Sequence, residues 1–584
     1  MKKNFLLFLL LTYFSSDVAN ADNFIMPPEV SMIDKNNVDI LTSSATLTVK
    51  RGAIGSGIGE LSFSDSWDNP VLLDNNFFDI LQLYYSGKGM IKTVTASFQG
   101  SSLTFRKSID SWGQIRGNNA NLTESSDSSV MTVVMKDGEA RVYNRLSTQG
   151  SPIFYLLDHR LTPEGVYWKY NWQSGDVARV TSVTNNLGYK LEFRYQTDDT
   201  NDGFGWHFIK EVDFYNLSRS TSPIYAASGS YSTSGSNSII HIVTSSGEVW
   251  ETSGQFYPNP FVQTSSTFYV KTPSSSSFNK IYHPLVLLPL GNSQSTTANI
   301  NGLIYKYQFN WGSSYKGEAD VTAPNGSVKK IKFFRPDNAV VSTGYPISIE
   351  DELGRVTSYS VNGYLNITNI IKPELDQENY TYDDRGNLTA FKKIIKPGKN
   401  TSGASNPPID PSSCQNMVSC ITKSANYKTS CDNIITCNKP YSTTDENGNV
   451  TLYIYDPVHG GVLTETSSLV NSVARVKRTG YVQRNAWILS SSGAYIKLFP
   501  AVWLKNEERV CMTTATAGSS CAGGAADESV TTYDYGPDSG PNNLLLRGVA
   551  VSSNGKVIRT CYTYDSAGNR ISETKPLGAG STCP

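Results

Sequence analysis

The stretch that decides the fold is Tyr562–Ser572, which reads YTYDSAGNRIS. Aromatic and small polar residues alternate up to Tyr564 and Asp565, a turn follows at Gly568 and Asn569, and a returning strand comes after it. Glycine and asparagine tolerate the positive φ angles of hairpin turns. Aromatic residues opposite β-branched ones are favoured pairs across antiparallel strands. The stretch therefore predicts a β-hairpin.

The same pattern recurs upstream in imperfect copies. Tyr380–Thr389 reads YTYDDRGNLT, Asp445–Thr451 reads DENGNVT and precedes Tyr453–Asp456, and Asp351–Thr357 reads DELGRVT. Strand–turn units of this kind bury their apolar faces by stacking on their neighbours. We expect the tyrosines to cover the sheet and the aspartates to accept hydrogen bonds from the turn backbone, which are structural roles. The repeat residues are Gly354, Tyr382, Asp383, Gly386, Asn387, Gly448, Asn449, Tyr455, Asp456, Tyr564, Asp565, Gly568 and Asn569.

These copies resemble the Rhs/YD-repeat family, named for its Tyr-Asp dipeptide, most clearly over about residues 345–584. The resemblance implies units wound into a large hollow sheet whose interior can hold another polypeptide segment. Long toxin-carrying members end in a core with an Asp-Pro-x-Gly-Leu signature, followed by a variable effector. Here the nearest string is Asp456–Gly461, DPVHGG, in mid-chain. The resemblance therefore implies either a short member of the family or the amino-terminal piece of a longer one.

The composition is typical of strands and turns. The chain has 33 Tyr and 46 Gly, with abundant Ser, Thr and Asn. Long helical periodicity is nowhere evident. We predict an all-β fold, with the repeats forming a large curved or spiralling antiparallel sheet, although spacing alone also allows a propeller or a flat solenoid. The 50 basic residues nearly balance the 51 acidic ones, which argues against a nucleic-acid partner because such a protein shows a basic stripe.

The first residues have the order of a secretory signal. Lys2 and Lys3 precede the apolar run Phe5–Leu11, and the small-x-small sequence Ala19–Ala21 follows. This run is shorter than the roughly 20 residues that a membrane-spanning helix needs. Pro284–Leu290 is also short and is interpreted as a buried strand. We predict cleavage after Ala21, no transmembrane segment, and export to the periplasm, the cell surface or the medium.

Turn signals and composition divide the chain into four regions. We predict a signal peptide at residues 1–21, an N-terminal β region at 22–200, a β region with degenerate repeat-like turns at 201–345, and repeats at 346–584. Pro223–Ser238 and Thr272–Ser277 are interpreted as serine-rich connections. Neither is long enough to separate mobile domains, so we expect one continuous β spiral.

All eight cysteines lie in the last third of the chain. An even number of cysteines in an exported protein indicates disulfides. Four of them lie within a Cys-rich insertion predicted at about 397–440, with gaps wider than those of structural zinc sites. One bond can close the loop between the fifth and sixth, and the last two can pair across the final repeat. The candidate disulfide residues are Cys414, Cys420, Cys431, Cys437, Cys511, Cys521, Cys561 and Cys583.

Motifs for catalysis or cofactor binding are scarce. The five histidines are scattered, and His207, between Trp206 and Phe208, is interpreted as a half-buried strand residue. Gly52–Gly59 resembles a phosphate-binding loop, but an alternating strand follows it where a helix is required, so we predict a turn. Asp445–Asp456 imitates the spacing of a calcium loop, but its glycine is displaced, so we predict a hairpin. No catalytic residue, cofactor or metal is predicted.

Two functions of different classes remain. The first is a non-enzymatic exported shell or scaffold that encloses, displays or delivers a toxin or another protein partner. The alternative is a cell-surface module for carbohydrate binding or adhesion, because exposed aromatic side chains on a β surface stack on sugar rings. An exported hydrolase is a third reading, but the nucleophile-elbow and zinc-protease motifs do not occur in the sequence.

Overall fold

The computed structural model describes residues 27–583. Its gaps are at 29, 37, 42–43, 46, 68–72, 76–79, 87–90, 99–100, 108–111, 117–119, 147–152, 174–177, 202, 235–236, 257–262, 272–278, 284–292, 301–302, 312–315, 335–343, 396–419, 471–472, 518–519 and 575–581. The predicted signal peptide, Pro284–Leu290 and Thr272–Ser277 lie outside the described residues. The described part is nearly all strand, which confirms the all-β prediction.

The first sixteen strands are β1 (Val38–Asp39), β2 (Ser44–Ala45), β3 (Leu47–Ile54), β4 (Leu61–Trp67), β5 (Leu73–Asn75), β6 (Ile80–Ser86), β7 (Ile91–Phe98), β8 (Ser101–Lys107), β9 (Trp112–Arg116), β10 (Asn121–Glu124), β11 (Val130–Val134), β12 (Ala140–Arg145), β13 (Ile153–Leu161), β14 (Tyr167–Gln173), β15 (Arg179–Asn185) and β16 (Tyr189–Tyr195). The next fifteen are β17 (Ile209–Asn216), β18 (Tyr225–Ser234), β19 (Asn237–Val243), β20 (Val249–Phe256), β21 (Gln263–Lys271), β22 (Asn279–His283), β23 (Ser293–Ile300), β24 (Leu303–Trp311), β25 (Lys316–Thr322), β26 (Val328–Phe334), β27 (Tyr345–Glu350), β28 (Val356–Val361), β29 (Ile367–Ile371), β30 (Gln377–Tyr382) and β31 (Leu388–Ile394).

The last fourteen are β32 (Cys420–Asn426), β33 (Ser442–Thr444), β34 (Val450–Tyr455), β35 (Val462–Val470), β36 (Val473–Arg484), β37 (Trp487–Leu489), β38 (Tyr495–Lys497), β39 (Val502–Cys511), β40 (Thr516–Ala517), β41 (Ser520–Cys521), β42 (Glu528–Asp534), β43 (Gly548–Ser553), β44 (Lys556–Tyr564) and β45 (Arg570–Glu573). The described helices are short: α1 (Gly203–His207), α2 (Ile434–Cys437) and the 3₁₀ turns Gly57–Gly59 and Ala525–Asp527.

Thirty-six of the described strands form one sheet. From β10 to β36 each strand pairs antiparallel with the next in the chain, and the meander continues through β39, β42, β43, β44 and β45. The strands β6 to β9 join it where β6 pairs with β13. The pairings of β16 with β17 and of β26 with β27 carry the sheet across the predicted boundaries at residues 200 and 345.

The structure differs from the sequence prediction at two segments. Tyr225–Ser234, inside the predicted serine-rich connection, is the strand β18 and pairs on both sides. Cys420–Asn426, inside the predicted insertion, is the strand β32 and pairs with β31 and β33. Serine and threonine are accepted in strands where neighbouring hairpins supply the partners, so tertiary pairing overrides local composition here.

The sheet buries one set of alternating side chains. In β16, Tyr189, Leu191 and Phe193 are buried, while Lys190 and Arg194 point to the opposite face. This period of two is the pattern of a strand with one covered face. The amino-terminal segment supplies part of the cover, since Ile54, Leu61 and Phe63 of β3 and β4 belong to the same core as these residues.

The segment before β3 covers other strands of the same sheet. Val38, Ile40 and Leu41 pack against Tyr307 and Phe309 of β24, and Val30 packs on the cluster of β29 to β31. The segment from Val30 to β4 therefore lies against at least three separate groups of strands and ties them together.

A buried ion pair fixes the β3–β4 hairpin in place. The guanidinium of Arg51 donates to the carboxylate of Asp65, and both side chains are almost fully buried, at 0% and 3% exposure. Arg51 also donates to the backbone oxygen of Ile209 in β17, at 2.8 Å. The hairpin and the main sheet thus share one charged contact that water does not reach.

Candidate functional site

The turn after β30 shows how the repeat residues act. The Asp383 carboxylate accepts the backbone N–H groups of Arg385 and Asn387, at 3.0 and 2.8 Å. Gly386 has a φ of 68° and donates its N–H to the oxygen of Asp383, at 2.9 Å. The aspartate and the glycine therefore shape one tight loop, as Asx turns do.

The same loop recurs along the sheet. Among the described residues, five turns have a first side chain that accepts the N–H groups two and four residues later and a fourth residue with positive φ. The accepting residues are Asn185, Asp351, Asn362, Asp383 and Asp445. One of these turns has Leu365 at the fourth position, with φ of 67°. Asp445 and Asn449, which imitate a calcium loop in sequence, lie in such a hairpin turn.

The turn at Asp445 gives a test of pH dependence. The hydrogen bond from the Asn449 side chain, with the backbone N–H bonds, lowers the pKa of the Asp445 carboxyl. A carboxyl whose pKa is lowered by folding stabilises the fold above its unfolded pKa, and this stabilisation is lost as the pH falls through the folded value. We expect Asp445→Ala to speed amide exchange in this turn at neutral pH.

The matched control is Asp445→Asn, because Asn362 forms the same loop in its own turn. This variant should keep the neutral-pH protection of the turn and lose its acid sensitivity. Amide exchange measured from neutral pH to below the ordinary carboxyl range tests both. Equal exchange for the alanine variant and the parent would contradict the role of Asp445.

Each repeat tyrosine links two neighbouring hairpins. The hydroxyl of Tyr455 donates to the oxygen of Pro440 at 2.9 Å, and that of Tyr382 donates to the oxygen of Ile367 at 3.0 Å. In both pairs the acceptor lies 15 residues earlier. Burial raises the pKa of Tyr382 to about 12, so the hydroxyl stays protonated and remains a donor. The tyrosine thus covers the sheet and also bonds to the preceding hairpin.

Removing one such hydroxyl should have a modest, local effect. We expect Tyr455→Phe to destabilise the protein by about 1 kcal/mol, because the Pro440 oxygen loses its partner. The control is Tyr364→Phe at a side chain that is 56% exposed, where we expect no change. Thermal unfolding together with amide exchange in β33 measures the difference, and equal behaviour of the two variants would refute the linking role.

Turns that are far apart in sequence meet along a line that we call the turn seam. On one side lie the turns after β11, β13, β15 and β17. On the other lie turns and loops between β30 and β45. The backbone N–H of Trp503 donates to the oxygen of Glu164 at 2.8 Å, and that of Leu489 donates to the oxygen of Leu217 at 2.8 Å. The sheet therefore bends back until its two rows of turns touch.

Asparagine side chains bridge much of the seam. Asn186 donates to the oxygens of Gly165 and Pro500, at 2.7 and 2.8 Å. Asn216, 1% exposed, donates to the Asn542 side chain and to the oxygen of Ser566, both at 2.9 Å. A primary amide presents two donors, and here those donors reach backbone and side-chain oxygens that the turns leave available.

The glycine-rich loop that resembles a phosphate-binding loop also lies at the seam. Gly52 belongs to the strand β3, so the turn is shorter than predicted, and Gly55 and Gly57 have positive φ. The N–H of Gly55 donates to the oxygen of Ala567 at 3.0 Å, beside the last repeat turn. Asn185 donates to the oxygen of Gly59 at 2.9 Å. The loop thus contacts both rows of turns.

Three disulfides lie among the described residues: Cys431–Cys437, Cys511–Cys521 and Cys561–Cys583. The second and third are the pairings that the sequence favoured. Cys420 is also disulfide-bonded, and Cys414 lies outside the described residues. Disulfides persist in oxidising compartments, so these bonds indicate a protein outside the cytoplasm.

The described histidine side chains form no metal-binding cluster with other His, Cys, Asp or Glu residues. His207 is exposed at the end of α1, so its interpretation as a half-buried strand residue was wrong. His459 is buried between Tyr481 and Trp503, with ring centroids 4.5 and 4.6 Å away, and desolvation lowers its pKa. Among the described residues no group of three or more His, Cys, Asp or Glu is placed to hold a metal.

The Asp456–Gly461 string forms the turn between β34 and β35. Asp456 accepts the N–H groups of Val458 and His459, at 2.7 and 3.1 Å. This aspartate therefore does in its own loop what the other turn aspartates do. No described helix is both long and apolar enough to cross a membrane.

Sequence reasoning missed the seam residues. Asn185 follows the turn pattern, but Asn186 and Asn216 bond to partners about 314 and 326 residues away. The sequence carries one signal for such a residue: Asn186 directly follows Asn185, and a turn of this type needs only one asparagine. Nothing local indicates the partner.

Neither a protein-family model nor a curated protein matches the chain. Among solved structures it is similar to TcdB2-TccC3-TEV, with 12% identity and a TM-score of 0.29 over 75% of this chain and 23% of that chain. For the Photorhabdus luminescens Tc holotoxin pore the identity is 9% and the TM-score is 0.26, over 90% of this chain and 36% of that chain. For TcdB2-TccC3 the identity is 8% and the TM-score is 0.20, over 92% of this chain and 46% of that chain. The chain spans less than half of the length of each of these structures. These three structures contain Tc toxin chains, and their TM-scores are too low to show a common fold.

Proposed function

We propose that this chain is an exported, non-enzymatic shell protein that encloses or displays a partner polypeptide such as an effector. The observation that carries the proposal is the turn seam. A long meander whose distant turns bond to each other is bent back on itself, and such a sheet has an inner and an outer face. The tyrosine-repeat resemblance supports the same role, and the disulfides support a location outside the cytoplasm.

The two faces can be told apart in neighbouring strands. On β34, Tyr453 is 6% exposed and the adjacent Ile454 is 60% exposed. Glu465 of β35 is the register partner of Tyr453 and shares its face. Cysteines introduced at Ile454 and Glu465 therefore report on opposite faces within a few residues of each other.

The test uses two single-cysteine variants, Ile454→Cys and Glu465→Cys, in the oxidised full chain, whose described cysteines are all bonded. Each is treated with a small maleimide and with a maleimide carrying a bulky polyethylene-glycol chain. A shell predicts that both sites react with the small reagent and that only one reacts with the bulky one. Reaction of both sites with the bulky reagent would show an open sheet and overturn the proposal.

The proposed enclosure of a partner polypeptide needs a second measurement. The probe is the product of the open reading frame next to this one, co-expressed and co-purified with the full chain. Enclosure predicts that this product resists protease in the complex and becomes sensitive when the complex is denatured. A co-purified product that is cut as fast as the free protein would indicate display on the surface.

A further inference from the structure

The segment Tyr427–Pro440, which we call the clasp, lies between three turns of the sheet. It contains the one-turn helix α2 and the disulfide Cys431–Cys437. A helix of four residues is not stable by itself in water, because the cost of nucleation is not recovered in so few hydrogen bonds. The clasp therefore depends on the disulfide and on its neighbours for its shape.

The first neighbour is the repeat turn after β30. The Arg385 guanidinium donates to the backbone oxygens of Lys428 and Thr429, the latter at 2.9 Å, and to the Asn438 side chain at 3.2 Å. Asn387 also donates to the Asn438 side chain, at 3.2 Å. Charge-assisted bonds from one guanidinium thus hold both ends of the clasp.

The second neighbour is the turn after β11, on the opposite side of the turn seam. Asn438 donates to the oxygen of Lys136 at 3.0 Å, and the Lys136 ammonium donates to the oxygen of Gly386 at 2.8 Å. Ile435 fits against Gly138, where an added Cβ would lie 3.3 Å from its side chain. The clasp therefore joins the two rows of turns at this end of the seam.

The third neighbour is the turn between β34 and β35. Asn433 donates to the oxygen of Pro457 at 2.8 Å, and the Lys439 ammonium donates to the oxygen of Gly460 at 2.6 Å. Cys431 precedes Asn433, and Cys437 is the last residue of α2, so the disulfide fixes the spacing between the groups that reach these turns.

The disulfide is open to attack from one side. Cys437 is buried, at 1% exposure, while Cys431 is an exposed residue. In Cys511–Cys521 both residues are buried, at 1% and 3%. An exchange reaction needs a thiolate to approach one sulfur along the bond, so access decides which disulfide reacts first.

We propose that Cys431–Cys437 is a thiol–disulfide exchange site whose reduction releases the clasp and loosens the turn seam. The thiolate of a small-molecule thiol bonds to the Cys431 sulfur, and Cys437 leaves as a thiolate that takes up a proton. A second molecule of the thiol attacks the mixed disulfide, forms the small-molecule disulfide and leaves Cys431 reduced. Two thiols supply the two electrons. This inference goes beyond the shell role, because it concerns the seam whatever the chain carries.

The test titrates the oxidised full chain with glutathione. Alkylation and mass spectrometry give the reduced fraction of each disulfide, and amide exchange is followed in parallel. We expect Cys431–Cys437 to be reduced at about tenfold lower thiol concentration than Cys511–Cys521. We also expect amide exchange in the turn after β11 to become about tenfold faster, with β42 unchanged.

Two double variants distinguish the effect of losing the Cys431–Cys437 bond from the effect of losing another disulfide. Cys431→Ser with Cys437→Ser should show the faster exchange after β11 without any thiol, and Cys511→Ser with Cys521→Ser should not. Earlier reduction of Cys511–Cys521 would overturn the proposal. Reduction of Cys431–Cys437 with unchanged exchange after β11 would overturn it as well. The titration of the parent protein decides the question even where a variant fails to fold.

Discussion

Asp65→Ala is expected to destabilise the attachment of the β3–β4 hairpin by about 3–5 kcal/mol, because it leaves the buried Arg51 charge without its partner. The Arg51 side chain is 0% exposed. After the substitution, the hydrogen bond to the backbone oxygen of Ile209 satisfies only one N–H group of the Arg51 guanidinium. Amide exchange of β3 and β4 gives the free energy of local opening, and limited proteolysis shows whether the hairpin detaches.

Two controls define that result. Lys50→Ala removes an exposed ion pair with Glu60 in the same hairpin and should change the opening free energy by less than about 1 kcal/mol. The double variant Arg51→Met with Asp65→Leu removes both charges and should be far closer to the parent than Asp65→Ala. If Asp65→Ala and Lys50→Ala behave alike, the ion pair does not hold the hairpin.

Gly165→Ala is expected to open the turn seam, whereas the same substitution at Gly354 is not. Both glycines occupy equivalent turn positions, with φ of 90° and 77°, so both variants share a backbone cost of roughly 1–2 kcal/mol. At Gly165 the added Cβ would lie 2.5 Å from the oxygen of Ala501 across the seam. At Gly354 no atom lies within 4 Å of the added Cβ. The collision should add about 1–3 kcal/mol.

The part of this effect that is specific to the seam is recognised by the residues at which amide exchange accelerates. In Gly165→Ala, amide exchange should accelerate at Trp503, whose N–H bonds to Glu164 across the seam. In Gly354→Ala, exchange should change only within its own hairpin. Acceleration at Trp503 in both variants would mean that the seam responds to general destabilisation and not to the contact at Gly165.

The sequence predicts those parts of the fold that depend on neighbours in the chain. Asp383 and Gly386 are three residues apart, and their spacing alone determines the turn that they form. The alternation in each strand likewise indicates which face is covered. These features led to the all-β prediction and to the structural role of the repeat residues.

The remaining features depend on partners that no local pattern indicates. The Asn216 amide bonds to Asn542 across 326 residues, and either residue alone is an ordinary polar side chain. Tyr225–Ser234 looks like a linker because its serines have no strand preference, yet both neighbouring strands supply hydrogen bonds. The aromatic neighbours of His207 predict a strand, but the short helix α1, which contains Gly203 and Gly205, takes it out of the sheet.

The order of pairing has a consequence for how this protein is made. Nearly every strand of the large sheet bonds to the strand made just before it, so each hairpin finds its partner already in place. A chain that emerges gradually, from a ribosome or from an export pore, can add hairpins one at a time without waiting for distant segments. The bonds of the turn seam form only when the late turns arrive, so closure of the seam comes after the hairpins have been added.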